Sequence, residues 1–336
     1  MPQKVLVLFD MPEAPPRQQS HYKKFLKLQD WEDERDIYNA LNGLKKYDVE
    51  LHGIYDSVKP LIQKIEKYKP DVVFSVAESF SNVRHHAPNI VGLLELLGVP
   101  YTGATPESMT LCRDKGLSKK ILEYHQISVP KFQVIPVNQA TIDLTEFPFP
   151  AIVKPLNLEA SEGITQNSLV HSAKSGKQAI QQLMEQLNTD IIIEEFIPGK
   201  DIYVGVLGNQ RPTTLPPREL IFAEAKNPSM RFATYKAKWD KHYRKKWGIR
   251  SVKAKNLEPT LQTKLDSVCK KIYELFCLKG YARIDLRVHD SGQIYFLEAN
   301  PNPAINQKDE FALSASAAGI KYPQLIDRIV QLGVSS

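Results

Sequence analysis

Residues 283–300 read RIDLRVHDSGQIYFLEAN, and this stretch predicts a β-hairpin. Two runs rich in apolar and β-branched residues flank the turn sequence Asp290-Ser291-Gly292. If Ser291-Gly292 form a two-residue turn, the strands pair so that Asp285 lies opposite Glu298. The hairpin therefore predicts two carboxylates directly across from each other.

One face of this hairpin is polar, because the side chains of a strand alternate between its two faces. Arg283 and Asn300 form the next pair and share that face with Asp285 and Glu298. The other face carries apolar side chains that can be buried, namely Ile284, Leu286, Leu297 and Ala299.

The opposed carboxylates predict a metal site. Like charges directly opposite each other destabilise a β-ladder, and a divalent cation relieves their repulsion. Carboxylate and amide oxygens suit Mg²⁺, which completes its shell with water and phosphate oxygens. In the competing interpretation, Arg283 and Arg287 merely neutralise the acids on a solvated face. The amide in the proline-restricted stretch 300–303 favours the metal, and the predicted ligands are Asp285, Glu298 and Asn300.

Lysines at three separate places are candidate anion ligands. Lys115 begins a helical turn, and Lys238 lies in a basic segment. Lys154 ends an apolar strand that would draw it inward, and a semi-buried cation needs an anion. The loop 159–163, EASEG, contains Ser161 and could present backbone N–H groups to phosphate. Surface lysines and a plain turn are the competing interpretation.

Residues 191–201, IIIEEFIPGKD, form a third candidate element. An apolar strand there runs into carboxylates and a tight turn. Such an element could bind an adenosine, with backbone groups and a glutamate for the base and Asp201 for the ribose. A strand that simply ends at the surface is an equal alternative.

The composition is that of an ordinary globular protein. The 336 residues are 42% hydrophobic and 24% charged, which excludes disordered, collagen-like and coiled-coil chains. No apolar run approaches the roughly 18 residues of a membrane span, and the first apolar run is too short for a signal peptide. We therefore expect a cytoplasmic protein. The three cysteines lack a CxxC pair and predict free, buried thiols.

Positive charge is concentrated in residues 226–255, the basic segment, which holds eleven Lys and Arg but a single acid, Asp240. Such a segment suits a polyanion, either a nucleoside triphosphate or a nucleic acid. Trp239, Tyr243 and Trp247 are interleaved with the cations and could stack on bases. Binding of RNA or DNA is therefore an alternative function.

The first third of the chain alternates apolar strands with helical patterns, which predicts a parallel sheet with right-handed crossovers. The expected strands are 5–9, 49–55 and 71–77, and the expected helices are 31–46, 58–68 and 88–97. A GxGxxG motif is absent, so a dinucleotide fold is not indicated. Residues 208–257 are expected to be irregular.

Together these residues resemble the ATP-grasp superfamily, and within it the D-alanine–D-alanine ligases, over roughly residues 90–335. The specific motifs are LLELLGVPYTG at 93–103, RDK at 113–115, IVKP at 152–155, RID at 283–285 and LEANPNP at 297–303. Their order and spacing agree with the family. The resemblance implies an α/β fold of three lobes: an N-terminal parallel α/β domain at 1–107 and two α+β lobes, at 108–205 and 206–336, that grip ATP.

The resemblance also implies an ATP-dependent ligase that forms a C–N bond through an acyl phosphate and releases ADP and phosphate. The implied nucleotide-binding residues are Lys115, Lys154, Ser161, Glu194, Phe196, Ile197, Asp201 and Leu297. Lys238 would reach the γ-phosphate region from a mobile loop, and Arg283 would stabilise the oxyanion. The metal ligands Asp285, Glu298 and Asn300 would hold two Mg²⁺ ions, with Mn²⁺ as a substitute.

The chain departs from the ligases mainly in its first third. The sequence ESFSN at 78–82 stands where those ligases have a His-Gly-Gly loop, and residues 12–30 hold no counterpart of their early glutamate, which binds the first alanine's ammonium. Their phosphate loop reads Glu-Gly-Ser-Ser, whereas 159–163 reads EASEG. Asp309-Glu310 falls where they place Ser-Leu for the second alanine's carboxylate.

An acid in that place would repel a carboxylate and attract a cation. We therefore expect small-molecule substrates, an amino acid or other carboxylate plus an amine, with an acceptor other than D-alanine. The candidate substrate contacts are Glu78, Asp309 and Glu310. A D-alanine–D-alanine ligase with a divergent N-terminus is the alternative enzyme, and a homodimer is left open by analogy.

Two further alternatives are weaker. Lysines over ATP would explain part of the charge of the basic segment, so a nucleic-acid partner is not expected. A non-catalytic ATP-binding regulator would not need intact metal ligands at Asp285, Glu298 and Asn300.

Overall fold

The structure, a computed structural model, describes residues 2–16, 18–28, 31–139, 141–158, 161–225, 231–255 and 257–335, and the side chain of Trp239 lies outside that description. Parts of two predicted features also fall outside the described residues. They are Glu159 and Ala160 of the expected phosphate loop and residues 226–230 of the basic segment.

The N-terminal domain is a parallel sheet built by the apolar runs of the first third. Its strands are β1 (Gln3–Asp10), β2 (Tyr47–Ile54) and β3 (Val72–Ser75), in the spatial order β2-β1-β3. Its helices are α1 (Gln19–Phe25), α2 (Glu32–Gly43), α3 (Lys59–Tyr68) and α4 (Ala87–Leu96). Residues 5–9 of β1 are almost completely buried, because a central parallel strand is covered on both faces. The predicted alternation of strand and helix is confirmed.

The second sheet is antiparallel and has four strands. Its strands are β4 (Phe132–Ile135), β5 (Ala151–Pro155), β6 (Leu169–Val170) and β7 (Ile191–Glu195), in the order β4-β7-β5-β6. Its helices are α5 (Pro106–Arg113), α6 (Lys115–Tyr124) and α7 (Ala173–Leu187). Asp114 caps α6 by accepting hydrogen bonds from the N–H groups of Gly116 and Leu117, and this fixes Lys115 in the first helical turn.

The third sheet has six strands, in the order β11-β10-β8-β12-β13 with β9 beside β8. They are β8 (Lys200–Leu207), β9 (Thr213–Thr214), β10 (Arg218–Phe222), β11 (Ile249–Lys253), β12 (Tyr281–Val288) and β13 (Ile294–Pro301). The helices of this part are α8 (Tyr235–Trp239), α9 (Lys241–Lys246), α10 (Pro259–Leu275), α11 (Glu310–Ala317) and α12 (Tyr322–Val334). Apolar residues of α10 pack on the inner faces of β12 and β13, whereas α11 and α12 join the core of the N-terminal domain. The three-lobed α/β architecture is the expected one.

The expectation that residues 208–257 are irregular is wrong. This segment contains β9, β10, β11, α8 and α9. In β10 the buried positions alternate with half-buried ones, but the buried first position is Arg218, so the apolar pattern of this strand is masked. The lysine-rich α9 has little apolar periodicity and is held by the packing of Tyr243 and Trp247 in a small cluster.

The strand pairing suggests where the lobes divide. Strand β8 pairs with β10 and β12, not with the second sheet. Helix α5 begins after its cap Thr105. We propose boundaries at Thr105 and at Gly199, which lies between β7 and β8, instead of at 107 and 205.

The described chain offers neither a disulfide nor a membrane span. All three cysteines are free; Cys112 and Cys269 are buried and Cys277 is exposed. Burial raises the pKa of the Cys269 thiol. None of the described helices is both long and apolar enough to cross a bilayer.

Gly199 allows the β7–β8 connection to approach the end of β12 closely, and this generates a stability prediction. Its φ is +137°, and a Cβ at this position would collide with the carbonyl oxygen of Val288. We expect Gly199→Ala to lower the free energy of unfolding by about 3 kcal/mol in denaturant titrations. Gly292 is the matched control, since its φ is +83° but a Cβ there meets no described atom within 4 Å. Gly292→Ala is expected to cost about 1 kcal/mol, and equal losses in the two variants would contradict the close approach.

Candidate functional site

The predicted hairpin is formed by β12 and β13, which pair antiparallel. Asp285 lies opposite Glu298, and Arg283 lies opposite Asn300. Strand β8 continues the sheet on the other side of β12, so Asp285 sits on a central strand and is only 3% exposed. The two carboxylates therefore share one face, as predicted.

The turn of this hairpin is not the predicted two-residue turn. The N–H of Gly292 donates to the carbonyl oxygen of His289 at 2.8 Å, and the N–H of His289 donates to the carbonyl oxygen of Gln293 at 2.9 Å. The connection is thus one residue longer than predicted. On its own this change would shift the pairing of the strands by one residue.

A β-bulge compensates for the longer turn. On the turn side of the hairpin Leu286 pairs with Phe296, and a regular ladder from there would place Leu297 opposite Asp285. The register instead shifts between Asp285 and Leu286, so that Leu297 is an extra residue and Glu298 reaches the partner position. The predicted pairing is correct, although its premise about the turn is wrong.

Because of the bulge, the side chain of Leu297 does not lie on the predicted face of the hairpin. Leu297 was expected on the buried face, but it lines a cleft on the carboxylate side. The fully buried Phe296 takes its place in the core beside Leu286. The reason is that an extra residue reverses the alternation of side chains along the strand.

Cations hold both carboxylates. Arg283 donates from Nε and NH2 to the two oxygens of Asp285 at 2.7 and 2.9 Å, and Lys238 Nζ lies 3.6 Å from Glu298 Oε1. Burial raises the pKa of Asp285, and the opposed Glu298 adds to this while Arg283 acts against it. Burial alone would also raise the pKa of Glu298, but Lys238 and further lysines hold that pKa below its usual range. The pairing of Arg283 with Asp285 agrees with the competing interpretation of neutralisation.

The donor set nevertheless fits Mg²⁺. Two carboxylates and the amide of Asn300 supply hard oxygen atoms on one face. The amide nitrogen of Asn300 is buried and has no hydrogen-bond partner among the described residues, so the fold does not fix the orientation of that amide. Nowhere in the described ranges do three His, Cys, Asp or Glu side chains converge on a metal position. The amide, water or phosphate would therefore have to complete the coordination shell.

An open cleft brings most of the predicted nucleotide and metal residues together. Ten of them line it: Lys154, Ser161, Glu194, Phe196, Ile197, Asp201, Lys238, Asp285, Leu297 and Glu298. Lys115, Arg283 and Asn300 are not part of its wall. Residues from five separate segments of the sequence thus converge on one cavity between the second and third sheets.

Glu194 is not a free side chain directed at a base. It is 3% exposed, and its carboxylate lies 3.1 Å from Lys119 Nζ and 2.8 Å from Lys154 Nζ. Burial alone would raise the pKa of Glu194, but these two lysines bring it below its ordinary value. Its charge is therefore already balanced by the protein.

Lys115 lies behind the wall of the cleft. Its side chain is buried, and its Nζ donates to the carbonyl oxygen of Leu156 at 3.3 Å and to that of Leu158. These carbonyls lead into the expected phosphate loop, whose Glu162 pairs with Arg84 of the N-terminal domain at 3.1 Å. Lys115 therefore supports the start of the loop.

The described part of the basic segment is hydrogen-bonded to the residues that directly follow the phosphate loop. The N–H of Tyr235 donates to the carbonyl oxygen of Ile164 at 3.1 Å, and the amide of Gln166 donates to the hydroxyl of Tyr243 at 3.3 Å. Tyr243 also packs on Trp247, with ring centroids 6.1 Å apart. These two aromatic rings are half-buried against their own cluster, which disfavours the stacking on nucleic-acid bases considered above.

One end of the cleft combines apolar rings with an unused carboxylate oxygen. The rings of Phe196 and Phe232 meet edge to face, with centroids 6.2 Å apart. Arg287 donates to Asp201 Oδ1 at 2.6 Å and to the carbonyl oxygen of Ile197 at 2.8 Å. The other oxygen of Asp201 is buried and without a hydrogen-bond partner in the described chain. That oxygen is suited to accept a hydrogen bond from a ligand hydroxyl.

Glu78 belongs to an acidic region of the N-terminal domain. Its N–H donates to Asp10 Oδ1 at 2.8 Å. Burial, together with Asp33, Asp10 and Glu78, raises the pKa of Glu34 to about 8. Glu34 lies in the first turn of α2, just beyond the stretch 12–30 in which an early glutamate was sought.

The acids at the start of α11 extend this region towards Arg283. Burial, with Asp33 and Glu310 nearby, raises the pKa of Asp309 to about 7. Glu310 Oε2 lies 3.9 Å from Arg283 NH1. The amide of Asn306 donates to Asp309 and, at 2.7 Å, to Asp33. All three predicted substrate residues therefore border one acidic region, and Glu310 connects that region to Arg283.

The sequence analysis missed Lys119 and Glu34, and it considered Arg287 only as a cation that neutralises the hairpin acids, whereas Arg287 pairs with Asp201. Lys119 follows Lys115 by four residues and so shares its helix face, a signal that went unused. Arg287 shares the alternating face of Arg283 and Asp285. Glu34 carried no local signal, because only its tertiary neighbours make it unusual.

Comparisons with known proteins agree with this geometry. The model of the family described as D-ala D-ala ligase C-terminus matches residues 112–331. The D-alanine–D-alanine ligase of Aquifex aeolicus is 30% identical over 283 residues, which cover 83% of this chain and 89% of that protein. The vancomycin/teicoplanin A-type resistance protein VanA of Enterococcus faecium is 27% identical over 310 residues, or 91% and 83% of the two chains.

The fold is likewise that of solved structures. The D-alanine–D-alanine ligase from Bacillus anthracis complexed with ATP superposes with a TM-score of 0.74 at 21% identity, covering 99% of this chain and 98% of that one. The chain therefore belongs to the D-alanine–D-alanine ligase family of ATP-grasp proteins, a family of ATP-dependent ligases that form C–N bonds.

The raised pKa values in the acidic region predict how stability depends on pH. Between about pH 4 and pH 7, folded Asp309 holds a proton that the unfolded chain releases, so the free energy of unfolding falls as the pH rises through this window. We expect Asp309→Asn to reduce that fall by roughly 2 kcal/mol in denaturant titrations between pH 4 and pH 8. The exposed Glu185→Gln is the control and should follow the wild type. Parallel curves for all three proteins would show that Asp309 is not perturbed.

Proposed function

We propose that the protein is a carboxylate–amine ligase that activates a carboxylate as an acyl phosphate at the expense of ATP, releasing ADP and phosphate. One observation carries this proposal. Asp285 and Glu298, a pair suited to Mg²⁺, line the same cleft as Lys154 and Lys238, two cations suited to phosphate. Membership of the ligase family supports the same reaction class.

The chemistry requires this combination of groups. A carboxylate is a poor acyl donor because its leaving group is oxide, whereas an acyl phosphate expels phosphate. When bound at the predicted ligands, Mg²⁺ would neutralise charge on the transferring phosphoryl group. Lys154 and Lys238 would bind the phosphate oxygens. Arg283 lies beside Asp285 and borders the acidic region, and it would stabilise the oxyanion that forms when the amine attacks.

We place the adenosine at the apolar end of the cleft. Its base would pack on Phe196, Ile197 and Leu297, and a ribose hydroxyl would donate to the unpartnered oxygen of Asp201. Support comes from the apolar wall and from the buried acceptor that no described residue satisfies.

The phosphates would lie at Ser161 and the backbone of its loop, with Lys115 supporting the start of that loop. Tyr235 of the basic segment is hydrogen-bonded to Ile164, the residue that follows this loop. The segment would exclude water from the acyl phosphate, which otherwise hydrolyses.

We further propose an acceptor that carries a positive charge and is not D-alanine. Burial and neighbouring acids raise the pKa values of Asp309 and Glu34, and Arg283 offsets this only in part at Asp309, so a cationic group would be attracted there and a carboxylate repelled. Glu78 borders the same region. A D-alanine–D-alanine ligase fits the family relationship about equally well, and the products distinguish the two.

The test is phosphate release from ATP and Mg²⁺ across pairs of amino acids and amines, with mass spectrometry of the products. We expect amine-dependent release that is largest with acceptors bearing an amine or guanidinium. Asp285→Asn is expected to lower this release at least about 100-fold, because it weakens the hold on the transferring group.

Lys120→Met is the control, since Lys120 is exposed and should leave release within about twofold of the wild type. Efficient formation of D-alanyl-D-alanine would refute the cationic acceptor while leaving the ligase class intact. Failure of every pair to increase phosphate release would contradict the ligase class itself.

A further inference from the structure

Of the described lysines in or next to the cleft, Lys119 is the most deeply buried. Its side chain is 0% exposed, it lies in α6, and it is not part of the cleft wall. Burial lowers its pKa to about 8, although Glu194 acts in the opposite direction. A cation buried in this way lowers the stability of the fold unless the groups around it compensate for the loss of water.

One partner of Lys119 is the bulge of the hairpin. Its Nζ donates to the carbonyl oxygen of Leu297 at 2.7 Å, and it lies 5.5 Å from the ring centroid of Phe296. Leu297 has no ladder partner on β12. Lys119 therefore supplies a donor at the residue whose insertion places Glu298 opposite Asp285.

The other partner of Lys119 lies on the opposite wall. Its Nζ is 3.1 Å from Glu194 Oε1, while Lys154 is 2.8 Å from Glu194 Oε2. The two lysines thus divide one carboxylate between them. If Lys119 were absent, both oxygens of Glu194 could attract Lys154 and draw it away from the cleft.

We propose that Lys119 is a positioning residue that sets the geometry of both walls of the nucleotide cleft, fixing Glu298 through the Leu297 carbonyl and Lys154 through Glu194. This inference rests on the proposed function, because it assumes that the cleft binds a magnesium nucleotide. Lys119 itself touches neither nucleotide nor metal. Its effect on the site is transmitted through the two groups that it holds.

The test is the binding of Mg²⁺–ADP to Lys119→Met, measured by isothermal titration calorimetry well below the melting temperature of each variant. We expect the Kd to rise at least tenfold and the KM for ATP to rise with it, whereas a merely structural role would lower the melting temperature and leave the Kd unchanged. Lys120→Met, one residue away on the exposed side of α6, is the matched control and should bind within about twofold of the wild type.

The outcomes separate this inference from the proposed function. A wild type that binds no Mg²⁺–ADP would overturn the proposed function, and this inference with it. A wild type and a Lys119→Met variant that bind equally well would overturn only the inference. Should Lys119→Met not fold, the double variant Lys119→Met/Glu194→Gln removes the fully buried cation together with the carboxylate that it faces, and it is compared with Glu194→Gln alone. Weaker binding by the double variant supports the proposal, and equal binding overturns it.

Discussion

The mutual repulsion of two carboxylates, those of the buried Asp285 and the half-buried Glu298, governs the construction of this site. The β12–β13 ladder holds them directly opposite each other, and Asp285 is almost completely removed from water. Like charges so placed cost stability unless cations surround them. In the structure Arg283 and Lys238 meet that need. Both neutralising contacts are made by side chains, so they can be rearranged when a divalent cation takes over the neutralisation.

The three lobes supply these charges from different directions. The second sheet contributes Lys154, the basic segment contributes Lys238, and α11 contributes Glu310 beside Arg283, while Asp33 of the N-terminal domain is hydrogen-bonded to Asn306. The resulting arrangement is a gradient of charge, with lysines at the phosphate end and carboxylates beyond the metal face. Such a gradient suits a reaction that brings a polyanion and an amine together. It also offers a physical reason for the positions at which this chain differs from the ligase family.

The sequence was most informative where function requires particular residue types close together in the chain. The alternation of residue types in the hairpin 283–300 predicted its polar face. The motifs IVKP and EEFIPGKD predicted residues that line the cleft. What depended on tertiary packing was not predictable. The bulge at Leu297 follows from a turn one residue longer than assumed, and the environment of Glu34 arises only when α2 lies near Asp10 and Glu78. Lys119 could have been identified from its spacing to Lys115, but its partners lie 75 and 178 residues away in sequence.

The most direct test of this account is the position of a divalent cation. Crystals grown with Mn²⁺ and ADP would locate it by anomalous scattering, since manganese occupies sites of this kind and scatters strongly. The account predicts a peak bonded to oxygens of both Asp285 and Glu298, with Lys238 displaced from its carboxylate partner. Nucleotide in the cleft with no such peak, and with the Arg283–Asp285 and Lys238–Glu298 pairs unchanged, would contradict it.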